Sequence, residues 1–180
     1  MYSVLLSRYP IVKYQTIPHK ITYGSNEKPS SRYRNFQAHS FFVDVDAEGR
    51  SFRVFNVHFK CVAGPNHRLS QFKEILRELS PDRENIICGD FNTFGTPLLN
   101  FMLWKLFGYQ KEELLLSERR EFSTLFEKHG FQNPFHGYIT FMPLPAQFDY
   151  ILVPKETIIK HKRRFLNPRG SDHLPIMLEI

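Results

Sequence analysis

Asp90 and Asn92 follow the short apolar run Asn85-Ile86-Ile87-Cys88 through Gly89, so a carboxylate and an amide stand where a strand should end. Alternation along an extended exit points both side chains the same way. A carboxylate placed there can orient or deprotonate a water, and the amide can hold a phosphate oxygen without adding negative charge. The competing explanation is an Asx turn, in which both side chains bond their own backbone. A second cluster, Ser171-Asp172-His173, precedes the apolar run Leu174-Pro175-Ile176-Met177-Leu178. Extended, Asp172 and His173 face opposite ways, so Asp172 could bind a cation while His173 contacts a phosphate. Hard carboxylate oxygens are the ligands that a divalent cation such as Mg2+ takes.

A further carboxylate, Asp149, lies inside the apolar stretch Phe148-Asp149-Tyr150-Ile151-Leu152-Val153. Such a charge is costly unless paired. An imidazole is its natural partner, which it would hold in one tautomer; an arginine or a backbone N–H is the alternative. His58 closes a strand just before the loop 61–66. Arg68 and Gln71 lie three residues apart on the helix that follows and can brace that corner. No serine sits in a nucleophile-elbow glycine pattern, and no glycine-rich loop could cradle a phosphate. Serine-triad hydrolases and P-loop nucleotidases are therefore excluded.

The elements that must position these residues read as follows. Strands are expected at residues 3–7, 38–45, 52–59, 85–89, 147–153, 157–165 and 174–180, with 8–11 as a strand exit and 46–49 as a four-residue hairpin loop. Residues 24–34 read as a loop. In residues 65–80, Leu69, Phe72, Ile75, Leu76 and Leu79 fall on one helical stripe. Further helices are expected at 98–107 and 118–129, the latter closed by Gly130. Hairpins beside a strand-helix-strand unit predict mixed sheets covered by helices, with a ligand site along one rim.

In that order the motifs resemble the endonuclease/exonuclease/phosphatase superfamily, the deoxyribonuclease-I-like fold. Asn56-Val57-His58-Phe59, Gly89-Asp90-Phe91-Asn92, Phe148-Asp149-Tyr150-Ile151 and Ser171-Asp172-His173-Leu174-Pro175 are similar to its successive signatures. Leu5 to Ile11 is similar to an early segment. The resemblance implies an α/β (α+β) four-layer sandwich: two packed mixed sheets flanked by helices. It implies a metal-dependent phosphoesterase using Mg2+, or Mn2+ in its place. Asp90 would activate water and touch the metal; Asp172 would be a metal ligand. Asn92, His58 and His173 would hold the phosphate, and Asp149 would orient His173. Family members carry two earlier strands with a metal-ligand Glu, and Met1 falls just after that point. The expectation is thus an N-terminally truncated domain with weak metal binding, and its alternative is a catalytically impaired remnant that binds phosphate as a scaffold.

Composition sets the wider bounds. The chain of 180 residues is expected to be one domain, 1–180, and 42% hydrophobic residues suffice for a core. The 18 phenylalanines predict a core built from rings. A net charge of +6 favours an anionic partner. Nucleic acid and phospholipid or inositol phosphate are the substrate classes expected; a monomer without an obligate protein partner is expected too. Lys160, Lys162, Arg163, Arg164 and Arg169 either line a phosphate path or form a solvated strand face. The segment 98–109, with Trp104, is either core or a substrate- or membrane-facing helix. Cys61 and Cys88 lack metal-type spacing. No leader or spanning segment is visible in the sequence, which favours the cytoplasm.

Overall fold

A computed structural model describes residues 3–19, 39–61, 63–94, 97–98, 100–102, 111–144 and 146–180. The strands are β1 (Ile11–Pro18), β2 (His39–Ala47), β3 (Arg50–His58), β4 (Glu84–Asp90), β5 (Phe131–Gln132), β6 (Asp149–Pro154), β7 (His161–Arg164) and β8 (Ile176–Glu179). The helices described over their full length are α1 (Pro65–Arg77) and α2 (Glu118–Lys128); residues 97–98 and 100–102, at the start of the helix expected over 98–107, are helical too, and a 3-10 turn lies at Lys111–Glu113. Six strands form one mixed sheet in the order β1-β2-β3-β4-β6-β5, and β7 pairs with β8 in a second, two-stranded sheet. The expected α/β sandwich is therefore present, with two antiparallel strands making its second sheet among the described residues. The expected loop 24–34 and residues 103–109, Trp104 included, lie outside the described residues.

Only β3 and β4 run parallel, joined by α1; the remaining pairs are antiparallel. The β2–β3 turn is tighter than the expected four residues. Ala47 already pairs with Arg50, and Glu48 and Gly49 take φ of 54° and 78°, the left-handed pair that a two-residue hairpin turn requires. Gly130, with φ 73°, ends α2 as expected.

The rings do form the core. Phe59, Phe72, Phe91, Phe122 and Phe126 touch one another between the sheet and the two helices, at centroid distances from 4.9 Å (Phe59–Phe91) to 6.3 Å (Phe59–Phe72). Phe72 of α1 and Phe122 of α2 are fully buried, which docks both helices on one face of the sheet. A smaller cluster, Phe94, Ala146 and Phe148 with Phe141, forms separately.

Two expectations about strands fail. Residues 3–7 form no strand, and Val4 and Leu6 are exposed. The Val4 carbonyl accepts from Asn56 Nδ2 at 3.1 Å and Ser7 Oγ donates to Tyr9 O at 2.8 Å, neither of them a ladder bond, and an apolar run becomes a strand only with a ladder partner. Residues 8–11 do not end a strand but lead into β1, an edge strand whose Ile11, Val12 and Tyr14 are exposed. The strands expected at 157–165 and 174–180 shorten to β7 and β8.

Candidate active site

The sheet register itself assembles the rim. β3 and β4 are parallel, so their C-terminal ends coincide and His58 lies opposite Asp90. β6 runs the other way, so its first residue, Asp149, lies opposite Asp90 on the far side. Gly89 permits this closeness: its φ is 134°, and a Cβ there would run into the Val57 carbonyl of β3. The loop from β7 to β8 brings His173 in; its ring lies 5.0 Å from that of Phe141, centroid to centroid. Residues 58, 90, 149 and 173 thus meet at one edge.

His173 Nδ1 donates to Asp149 Oδ2 at 2.8 Å. That bond, with the charge of Asp149 behind it, holds the imidazole pKa above its ordinary value. Asp90 is pushed up to about 7, first by burial and then by the charge of Asp149. His58 Nε2 stands 3.8 Å from Asp90 Oδ2. Burial lowers the His58 pKa, and the charge of His173 adds to that. Near neutral pH the His58–Asp90 contact therefore joins a neutral imidazole to a half-protonated carboxyl, and we do not count it as an ion pair.

The Asx turn forms at Asp90, and the Asn92 side-chain amide turns to acceptors within the protein. The Asn92 backbone N–H donates to Asp90 Oδ1 at 2.8 Å, an Asx turn, at φ 51°. Its amide Nδ2 donates to Phe59 O at 2.9 Å and to Asp90 Oδ2 at 3.0 Å. Both amide hydrogens are engaged inside the protein, so a phosphate oxygen would have to displace one of these acceptors. Asp172 is exposed beside His173, and its backbone carbonyl accepts from Met142 N at 3.0 Å.

The corner below His58 is braced as expected. Arg68, fully buried, donates to the carbonyl of Cys61 at 3.2 Å, and Gln71 Oε1 accepts from Lys60 N at 3.1 Å. The basic run is mostly tied to backbone: Lys162 Nζ donates to Pro134 O at 2.6 Å and Arg164 Nη1 to Ile139 O at 2.9 Å. Cys61 and Cys88 are both free thiols.

Sequence reasoning missed two residues that hold this site. Glu118 closes on Arg68 through bonds of 2.6 and 3.0 Å, both side chains fully buried. Thr140 Oγ1 accepts from the N–H groups of Phe148 and Asp149 at 2.9 Å each. Its carbonyl accepts from Leu174 N at 2.7 Å. One residue thus fixes the backbone of Asp149 and the residue next to His173. A threonine in an otherwise irregular loop carries no sequence signal for that.

Neither a family model nor a curated protein matches the sequence. Solved structures do. An endonuclease/exonuclease/phosphatase family protein from Leptotrichia buccalis superposes with a TM-score of 0.62 at 16% identity, over 97% of this chain and 62% of that one. The mannosyl-6-phosphatase Bt3783 of Bacteroides thetaiotaomicron gives 0.58 at 16% identity, over 95% and 66%. D. rerio TDP2, complexed with a single-strand DNA product, gives 0.56 at 15% identity, over 95% and 68%. The chain has the endonuclease/exonuclease/phosphatase fold. It spans about two thirds of the length of the proteins that share it.

Within this fold the rim offers a donor set for a cation. One ligand atom each from Asp90, Asp149 and His173 lies within 4.8 Å of the others. Two carboxylates that push against each other in a partly buried site are relieved by a divalent cation. Mg2+ is commonly held by one or two carboxylates, with waters and substrate phosphates completing its shell. The residues present fit that requirement.

Proposed function

We propose that this chain carries the phosphate-handling rim of a metal-dependent phosphoesterase that hydrolyses phosphodiesters or phosphomonoesters. The observation that carries the reading is the meeting of Asp90, Asp149 and His173, from three distant stretches of sequence, at one strand-end rim. Without a cation Asp90 is pushed up to about 7, and a bound cation would favour its ionised form, the form that serves as general base. In its ionised form it takes a proton from the attacking water. His173, whose bond to Asp149 favours the protonated imidazole, donates to a phosphoryl oxygen and stabilises charge that builds there. His58, neutral, adds a hydrogen bond to the phosphate. Asn92 locks the Asp90 carboxylate and contacts phosphate only by exchanging one of its bonds. Asp90, with Asp149 or Asp172, would hold Mg2+ or Mn2+, which when bound supplies Lewis-acid neutralisation of the phosphate.

Nucleic acid is the favoured substrate class, supported by the net charge of +6 and by the DNA product in the TDP2 neighbour. Phospholipid and inositol phosphate remain the second class, and the chain is taken to act as a monomer. The test is a panel of bis-p-nitrophenyl phosphate, single-stranded DNA and inositol phosphates, assayed with Mg2+ and with chelator. Metal-dependent turnover that disappears in His173→Ala supports the proposal. Phosphate binding without turnover of any substrate would replace it with the impaired, scaffold-like alternative.

A further inference from the structure

α2 presents Arg119, Ser123 and Phe126 along one face, at the spacing that stacks side chains on successive turns. That face lines a cleft of about 130 Å3, together with loop residues 136–139 and the side chains of Asn133 and Gln147. The two amides are cross-linked, Asn133 Nδ2 donating to Gln147 Oε1 at 3.2 Å and Gln147 Nε2 to Asn133 Oδ1 at 3.3 Å. Asn133 keeps a second amide hydrogen, and Ser123 brings a hydroxyl.

The charge in this cleft has one sign. No carboxylate is among the described residues that line it, and Arg119 is its one permanent charge. Lys162 and Arg164 lie 5.4 and 5.8 Å from the ring of Tyr138, which belongs to the same lining. The Arg119 Nε–H is buried and meets no acceptor among the described residues, so an anion in the cleft reaches it only when the guanidinium turns toward the opening. A buried donor is costly to leave unmade, and a charged donor more so. The volume is about four times the ~30 Å3 share of a liquid water. It falls well below the roughly 300–1,000 Å3 that encloses a drug-sized ligand. A phosphate ion fits these limits.

We infer that this cleft binds a small oxyanion of phosphate size, anchored by Arg119, as a site separate from the strand-end rim. It shares no lining residue with His58, Asp90, Asp149 or His173. Its nearest link to them is Gln147, whose Nε2 also donates to the backbone carbonyl of Asp149 at 3.2 Å.

The test is a titration of the whole chain with inorganic phosphate, followed by proton–nitrogen correlation spectra that include the arginine Nε–H. A saturable shift of the Arg119 Nε–H and of the Asn133 side-chain amide is expected. Arg119→Ala should weaken binding by roughly ten-fold or more, as loss of a charge-assisted pair does. Ser123→Asp places a carboxylate inside the cleft and should weaken it by a similar factor, while His173→Ala leaves it unchanged. Three results would overturn the inference: an Arg119 signal that never moves, an affinity unchanged in both cleft variants, or binding abolished by His173→Ala, which would put the ion at the rim.

Discussion

Arg68 and Glu118 are both fully buried, and each carries the charge that the other needs. Asp44 is equally enclosed and answered by Arg53 at 2.8 Å, with Arg83 nearby at 3.6 Å. At the strand-end rim Asp90 and Asp149 pair in register as like charges. There the nearest imidazole, His173, is bonded to only one of the two acids. Asp44 is held below the usual carboxylate range by Arg53, whereas Asp90 is driven above it. The first region uses charge to hold segments together. The second keeps charge in tension, where a cation and a phosphoryl group would relieve it.

The widest separation between the two regions should come from removing one acid from each. Asp90→Ala takes the proposed base out of the rim, and turnover of a phosphodiester should fall roughly 10²–10⁴-fold. Relief of a buried carboxyl with a raised pKa offsets the bonds lost from Asn92, so the thermal midpoint should move little at neutral pH. Turnover within two-fold of the parent would dissolve the distinction.

Glu118→Ala should do the reverse. It strands Arg68 as an unpaired buried cation, a loss of about 3–5 kcal/mol in unfolding free energy. Denaturant midpoints measure it directly. A loss comparable to that of an exposed ion pair, below about 1 kcal/mol, would show that water reaches Arg68.

The contrast also explains what could be read from the sequence. His58, Asp90, Asp149 and His173 were legible as a set, because their motifs in order resembled successive family signatures, while each taken singly had a structural alternative. Their convergence comes from strand direction, β3 and β4 parallel and β6 opposed, which the sequence did not show. Glu118 was not legible, since its partner lies 50 residues away and the helical pattern of α2 reads the same without it. β1 was missed because Ile11, Val12 and Tyr14 face outward and only Ile17 reaches the core, so its position depends mainly on pairing with β2. Residues 3–7 misled for the opposite reason: they are apolar enough for a strand yet meet no ladder partner among the described residues.

A pH series should pull the two regions apart in opposite directions. The pKa of Asp44 is lowered on folding, so its contribution is present above the unfolded value of 3.8 and is lost as pH falls below it. That of Asp90 is raised from 3.8 to about 7, so between those values the folded state holds a proton that the unfolded state has released. Stability must then fall as pH rises through that window, by up to about 1.4 kcal/mol per pH unit, and level off above it. His173, raised by Asp149, adds a loss of the same sign as pH climbs through its folded value. Chemical denaturation across the series, repeated with Asp90→Asn, isolates the carboxyl. The variant should flatten the decline, and an unchanged slope would mean that Asp90 is ionised throughout. Saturating Mg2+ should flatten it too, since a bound cation favours the ionised form.

Thr140 is buried beside the rim and bonds its backbone, and its substitution should have the smallest and most informative effect. Thr140→Val keeps the shape of the side chain but deletes the oxygen that accepts from Phe148 N and Asp149 N. Two N–H groups lose their acceptor at a fully buried position, at a cost of about 1–3 kcal/mol. If Thr140 only stabilises the loop, the variant should melt earlier and keep the parent pH profile. If it positions Asp149, the Asp149–His173 bond loosens, the His173 pKa falls toward its ordinary value, and the alkaline limb of the turnover profile moves to lower pH. Thr140→Ser retains the oxygen and should restore the profile even if it leaves some stability lost with the methyl group. A serine variant that restores stability but not the pH limb would separate the two roles and take Thr140 out of the active-site argument.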